Sequence, residues 1–267
     1  MLEYNFTFES FGVRVTVESN RQTVVDRVRD IANYALLGRL TEIDPSLAEH
    51  RLQIIEIDNI YRAALGDEDL GDNVDLDLLI KYIGSRIRIL VAEYTREFVF
   101  VHAGVVEWNG KAIVMPGQSY SGKTTLVAEL VKLGATYFSD EYALFDEDGN
   151  VHPFPRPLAI RDRFDPTIRE DVNVEALGGV PATRSARVGM MFFGKYRSKA
   201  RWKPIFISPG VGIIELITHT IPIRVNSEFA IKALTNAVRG AKIAKSARGE
   251  ADVSAEKLLH FVDINNN

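Results

Sequence analysis

The stretch Val114–Thr125, VMPGQSYSGKTT, decides how this chain is read. It contains G-x-x-x-x-G-K-T, with Gly117, Gly122, Lys123 and Thr124 in the fixed places. Polyphosphate binding needs each of them. Glycines let the backbone turn so that successive N–H groups face phosphate oxygens. The helix that follows directs its unpaired first amides, and its positive dipole end, at the same point. Lys123 is expected to reach the outer phosphates and the Thr124 hydroxyl to ligate Mg²⁺. Gln118, Ser119, Tyr120, Ser121 and Thr125 complete the expected nucleotide-binding loop. The flanks agree with this reading. Ala112–Met115 reads as a short buried strand. Leu126, Val127, Leu130, Val131 and Leu133 fall at helical spacing, and Gly134 is a natural stop.

Working outward, Phe98–Trp108 (FVFVHAGVVEW) is strand-like, and Asn109-Gly110 is a strong hairpin turn that returns the chain through Lys111–Met115 into the loop. A second hairpin is expected from Tyr142–Phe145 through Asp148-Gly149 to Val151–Phe154. A loop strand entered from a hairpin predicts a mixed sheet. Upstream, residues 4–18 alternate as two strands around Ser10–Gly12. Residues 22–38 read as a helix, 52–57 as a strand and 76–95 as an amphipathic helix. The acidic run Asp67–Asp77 reads as a solvated loop. Downstream, Val188–Phe193 reads as a buried strand. Helices are expected from Ser208 to about Thr220, from Asn226 or Ser227 to near Lys245, and over Ser254–Phe261. Arg187, Lys195, Arg197, Lys199, Arg201 and Lys203 read as a charged hairpin facing water, or as a surface receiving phosphate or an acidic substrate. The fold class is therefore α/β (α+β). A small N-terminal α+β region over 1–96 is expected to cap or flank the core as a substrate or partner region, and a nucleotide-binding core spans 97–267 and ends in helices.

Three further sites join the loop. Asp140-Glu141 lies seventeen residues after Lys123. A helix, a glycine turn and the strand Ala135–Ser139 bring it back beside the loop, where Asp140 would meet the Mg²⁺ held by Thr124 and Glu141 would face the γ-phosphate or the acceptor. His102 lies fifteen residues before Gly117, and the hairpin register places it near Pro116–Gly117. Arg156 and Arg161, in the proline-stiffened PFPRPLAIR, are expected either to clamp phosphate oxygens or to form surface salt bridges. Donors for a triphosphate, a metal bridging its oxygens and a carboxylate for the acceptor proton add up to phosphoryl transfer.

The bulk properties exclude other classes. The 267 residues are 46% hydrophobic and 25% charged, enough for a real core. A net charge of −4 offers no bulk attraction to nucleic acid or membrane. The absence of cysteine excludes disulfides and thiolate metal sites and fits a cytoplasmic location. MLEYNFTFES does not read as a secretion signal, and no apolar run approaches the ~20 residues that span a bilayer.

HAGVV, GQSYSGKTT and SDE, with these intervals, resemble the C-terminal kinase domain of the HPr kinase/phosphorylase family, which shares its P-loop core with nucleotide-dependent phosphoenolpyruvate carboxykinases. The resemblance covers roughly 98–161. It implies ATP on Gly117–Thr125, Mg²⁺ on Thr124 and Asp140, Glu141 as the base toward a seryl hydroxyl, His102 in support, and a homo-oligomer. The family's second acid is Asp, whereas here it is Glu141. VHPFPRPLAIR also differs from the segment linked to dephosphorylation. The expectation is thus an ATP- and Mg²⁺-dependent kinase, without phosphorylase activity, acting on a hydroxyl of a protein, peptide or small molecule. Two other readings compete. A carboxykinase-type enzyme wants a second metal with His and Lys ligands, for which the sequence offers His152. A nucleotide-sensing module would have Glu141 as the mark of lost catalysis.

Overall fold

A computed structural model of the chain describes residues 2–118, 121–161, 169–221 and 224–266. The backbone divides into two units, Met1–Glu97 with Ile223–Val225, and Phe98–Pro222 with Asn226–Asn267.

In the first unit, β1 (Tyr4–Ser10) and β2 (Val13–Ser19) form a hairpin whose alternating Phe6, Phe8, Val13, Val15 and Val17 are buried. Helix α1 (Gln22–Ala35) buries Val24, Val25, Val28 and Ala32. The short β3 (Thr41–Glu42) then precedes β4 (His50–Ile57), which lies parallel to β2, a pairing that needs such a crossover. Strands β5 (Ile60–Leu65) and β6 (Glu68–Asn73) continue antiparallel, giving the order β3-β1-β2-β4-β5-β6. Helix α2 (Leu76–Tyr94) starts where the Asp75 carboxylate accepts from the Asp77 and Leu78 amides. The acidic run is therefore not simply a loop. Its middle is the edge strand β6, whose side chains mostly face water and so show no apolar alternation.

The second unit runs β7 (Val99–Trp108), β8 (Lys111–Pro116), α3 (Lys123–Lys132), β9 (Thr136–Ser139), β10 (Tyr142–Phe145), β11 (Val151–His152), β12 (Leu158–Arg161), β13 (Arg169–Val172), β14 (Val188–Tyr196), β15 (Ile205–Phe206), α4 (Pro209–Ile217), α5 (Ser227–Arg239), β16 (Lys242–Arg248) and α6 (Ala251–Asn266). The main sheet has the order β11-β10-β7-β8-β14-β16-β15, with β9 also on β7. It is mixed: β8, β14 and β16 run parallel, while β7 is antiparallel to both β8 and β10. Helix α3 packs Leu126, Val127, Leu130 and Val131 against Ile113 and Met115 of the sheet and Leu258, Leu259 and Val262 of α6.

Two downstream expectations are corrected. The helix expected to run to Lys245 stops at Arg239, and Lys242–Arg248 is a strand inserted between β14 and β15. Alanine, lysine and arginine favour helices locally, but Gly240 follows the helix and the sheet offers KIAKSAR a full ladder against β14. The basic 187–203 segment is accordingly not a hairpin, because β14 and β15 pair with β16 and not with each other. Smaller boundary shifts occur at β11, which ends before Pro153, and at α6, which extends well beyond Ser254–Phe261. No helix among the described residues is long and apolar enough to cross a membrane.

The turn after β10 is built on Gly149, at φ 80°. A Cβ there would sit 2.2 Å from Ala237 N and 2.5 Å from Asn236 C, backbone atoms of α5 that cannot swing aside. Gly149→Ala is expected to destabilise the chain by about 3 kcal/mol, read as a lower urea midpoint at unchanged m-value.

Candidate functional site

The site is assembled around two residues of β7. On one side Ala103 pairs with Pro116, the last residue of β8, and on the other His102 pairs with Tyr142, the first of β10. Gly117 N donates to His102 O at 3.1 Å, and Ala103 N donates to Glu141 O at 3.2 Å. The start of the glycine loop and the acid pair therefore flank the same two residues of one strand, at one end of the sheet. Neighbouring strands are ~4.8 Å apart, so side chains from both can share one space. Asp140 and Glu141 form the turn between β9 and β10. Ser139 Oγ holds that turn by accepting from Glu141 N at 3.1 Å and from Tyr142 N at 3.0 Å.

Helix α3 begins at Gly122, whose left-handed φ of 79° suits glycine. Lys123 Nζ folds back and donates to Gly117 O at 2.7 Å and to Gln118 O at 2.8 Å. The Thr124 hydroxyl lies near the Asp140 carboxyl and favours its charged form. Asp140 is only 7% exposed. Tyr137 supports it from below: its hydroxyl donates to Arg156 O at 2.7 Å and lies 3.1 Å from Asp140 Oδ1. The Arg156 guanidinium donates from Nη1 to Glu141 Oε2 at 2.7 Å.

The electrostatics follow from this packing. Burial pulls the Lys123 ammonium down to about 8, against the opposing attraction of Asp140 and Glu141. Burial pushes the Asp140 carboxyl above its ordinary value, the Thr124 and Tyr137 hydroxyls oppose that rise, and the charge of Glu141 adds to it. His219, two residues past α4, is held below the usual histidine value by burial and then by the charge of Lys123. His219 O accepts from His102 N at 2.8 Å, while the His102 ring lies 4.7 Å from the Tyr142 ring.

The geometry thus gathers Gly117, Gln118, Ser121, Gly122, Lys123, Thr124, Asp140, Glu141, His102 and Arg156 at one sheet end. Thr125 is exposed on α3. Ser119, Tyr120 and the Arg161 side chain lie outside the described residues. Arg156 reaches the second acid, an arrangement the phosphate-clamp expectation did not include. His152, paired with Leu144 of β10, is engaged at 2.8 Å by Asp146, just past the end of that strand. Tyr137, His219 and Arg248 were not legible as site residues. Tyr137 read only as part of an apolar strand, His219 lies in a segment read as helix, and Arg248 falls between two expected helices.

The loop's own atoms fit a polyphosphate. A Cβ at Gly117 would lie 2.8 Å from Ser121 Oγ, so any larger residue there would displace that hydroxyl. Ser121 Oγ is itself buried and has no hydrogen-bond partner among the described residues, leaving a donor for an anionic oxygen. Those residues contain no group of three or more histidine, aspartate or glutamate side chains that could hold a metal unaided. Mg²⁺ does not require such a group, since it is commonly held by one or two carboxylates with phosphate oxygens and water. The hard oxygens of Thr124 and Asp140 suit it.

No family model matches the chain, and no curated protein matches it. Among solved structures, it is distantly similar to the HPr(Ser) kinase/phosphatase from Coxiella burnetii, at 12% identity and a TM-score of 0.34, over 62% of this chain and 96% of that one.

Proposed function

We propose that the second unit is a P-loop phosphotransferase core of the HPr kinase and phosphoenolpyruvate carboxykinase kind. It would bind ATP with Mg²⁺ and transfer the γ-phosphoryl group to a hydroxyl, a seryl one foremost, of a protein, peptide or small molecule in the cytoplasm. The observation that carries this reading is the register that sets the start of the glycine loop and the acid pair against the same two residues of β7, beside a lysine lying in the field of both acids. Thr124 and Asp140 would hold Mg²⁺, which would supply charge neutralisation at the phosphates.

The chain's own residues supply the rest. The amides of the loop and of α3 hold phosphate oxygens, and Lys123 exchanges its carbonyl partners for the outer phosphates. Arg156 fixes Glu141 through a charge-assisted bond, which sets the carboxylate's direction. The acceptor oxygen attacks the γ-phosphorus, its proton passes to Glu141, and the bond to the β–γ bridging oxygen breaks to release ADP. His102 positions the two halves of the site through its backbone. Selection of the acceptor is assigned to the first unit, with its acidic β6 edge, and to the exposed basic residues around β14.

The Glu141–Arg156 pair also favours a second reading, a nucleotide-sensing module whose carboxylate is occupied. Transfer of labelled phosphate from ATP to a panel of hydroxyl acceptors and to cell extract separates the two. Transfer that Glu141→Gln removes supports the kinase, whereas binding of ATP with no transfer and no hydrolysis sinks it. Asp140→Asn is expected to abolish most of the gain in ATP affinity that Mg²⁺ confers, on the order of tenfold or more. Calorimetric titration with and without EDTA measures this.

A further inference from the structure

Arg248, the last residue of β16, is 3% exposed and forms no ion pair with a carboxylate among the described residues. Its guanidinium is spent on the phosphate loop. Nη2 donates to Ser121 O at 3.0 Å and to Gly122 O at 2.9 Å, and Nη1 reaches Gly249 O at 3.4 Å. The Tyr196 ring lies 5.6 Å from its central carbon. A Cβ on Gly122 would meet Nη2 at 2.6 Å, so the glycine is needed for the arginine as well as for its own φ. An arginine buried without a carboxylate is costly, and burial alone depresses its proton affinity. The structure would gain from an anion nearby.

The peptide plane explains what the contact does. No peptide bond among the described residues is cis, so each N–H there points opposite to the C=O of its plane. The Ser121 carbonyl shares its plane with Gly122 N–H, and the Gly122 carbonyl shares its plane with Lys123 N–H. Drawing both carbonyls toward one guanidinium turns two successive N–H groups away from it. We propose that Arg248 is a positioning residue for the phosphate loop: it fixes the Gly122 and Lys123 amides toward the oxygens of a polyphosphate and lends them its charge. This rests on the nucleotide reading and adds to it a residue from a distant strand.

The test uses the full chain and inorganic tripolyphosphate, which has no base or sugar. Calorimetry should give at least a tenfold weaker affinity for Arg248→Met than for wild type. The amide ¹H–¹⁵N resonances of Gly122 and Lys123 should shift on titration in wild type and not in the variant. If the methionine variant does not fold, Arg248→Lys decides. It keeps the charge but cannot bond both carbonyls with the same fork, and is expected to lose at least threefold. Folded variants with wild-type affinity and wild-type amide shifts would overturn the proposal. Weaker binding with the two amide shifts retained would also overturn it, since the loss would then be merely structural. Wild type that binds neither tripolyphosphate nor ATP would instead overturn the nucleotide reading.

Discussion

Glu141→Gln is expected to lower phosphoryl transfer by about a hundred- to ten-thousandfold while leaving ATP affinity within a few-fold of wild type. The amide cannot take a proton from the acceptor hydroxyl. It can still accept a hydrogen bond from Arg156 Nη1, now 2.7 Å from Oε2, so the turn between β9 and β10 should survive. Its backbone anchors, Ser139 Oγ to the Glu141 and Tyr142 amides and Ala103 N to Glu141 O, do not depend on the side chain. The loss should therefore fall on kcat rather than on binding. Single-turnover transfer from labelled ATP measures it. A variant that transfers as fast as wild type would remove Glu141 from the base position, and the carboxylate would then serve only to neutralise Arg156.

Lys123→Met should be at least as damaging to transfer, roughly a thousandfold, because on the proposed reading it removes the positive donor for charge that develops on the outer phosphates. It also carries a pH signature independent of catalysis. The folded Lys123 releases its proton near 8, against an ordinary 10.5. Between these values the unfolded chain binds more protons than the folded one, so the lysine makes wild-type stability rise with pH across that window. The methionine variant lacks the group and should lack the rise. The difference in unfolding free energy between the two should change by on the order of 1–3 kcal/mol from pH 8 to 10.5, in favour of wild type. Urea unfolding at the two ends of the window tests this. A flat difference would mean that the ammonium is not held in a desolvated place beside the loop.

How much of this was legible depended on how local each signal is. The turn chemistry of Asn109-Gly110 sets the register of β7 against β8, and that register alone predicts that His102 and Ala103 meet Pro116–Gly117, as they do. The interval from Lys123 to Asp140 is one helix, one turn and one strand, so the return of the acids to the loop was also readable. Strand β6 was not, because an acidic edge strand with both faces wet has no period to find. Nor was the contact of Arg156 with Glu141, since a segment between prolines carries no pattern that says which carboxylate its guanidinium will meet.

By itself the sequence determined the glycine loop, the helix that follows it, the hairpin that feeds it and the mixed character of the sheet. Each rests on a handful of adjacent residues whose φ preferences or apolar spacing act over one turn of chain. Tertiary structure alone decided that Lys242–Arg248 is a strand lying between β14 and β15, and so that Arg248 ends beside Ser121 and Gly122. Alanine, lysine and arginine in that segment favour a helix. The ladder offered by β14 outweighs that preference, and such a ladder exists only once residues far apart in the chain have been brought together.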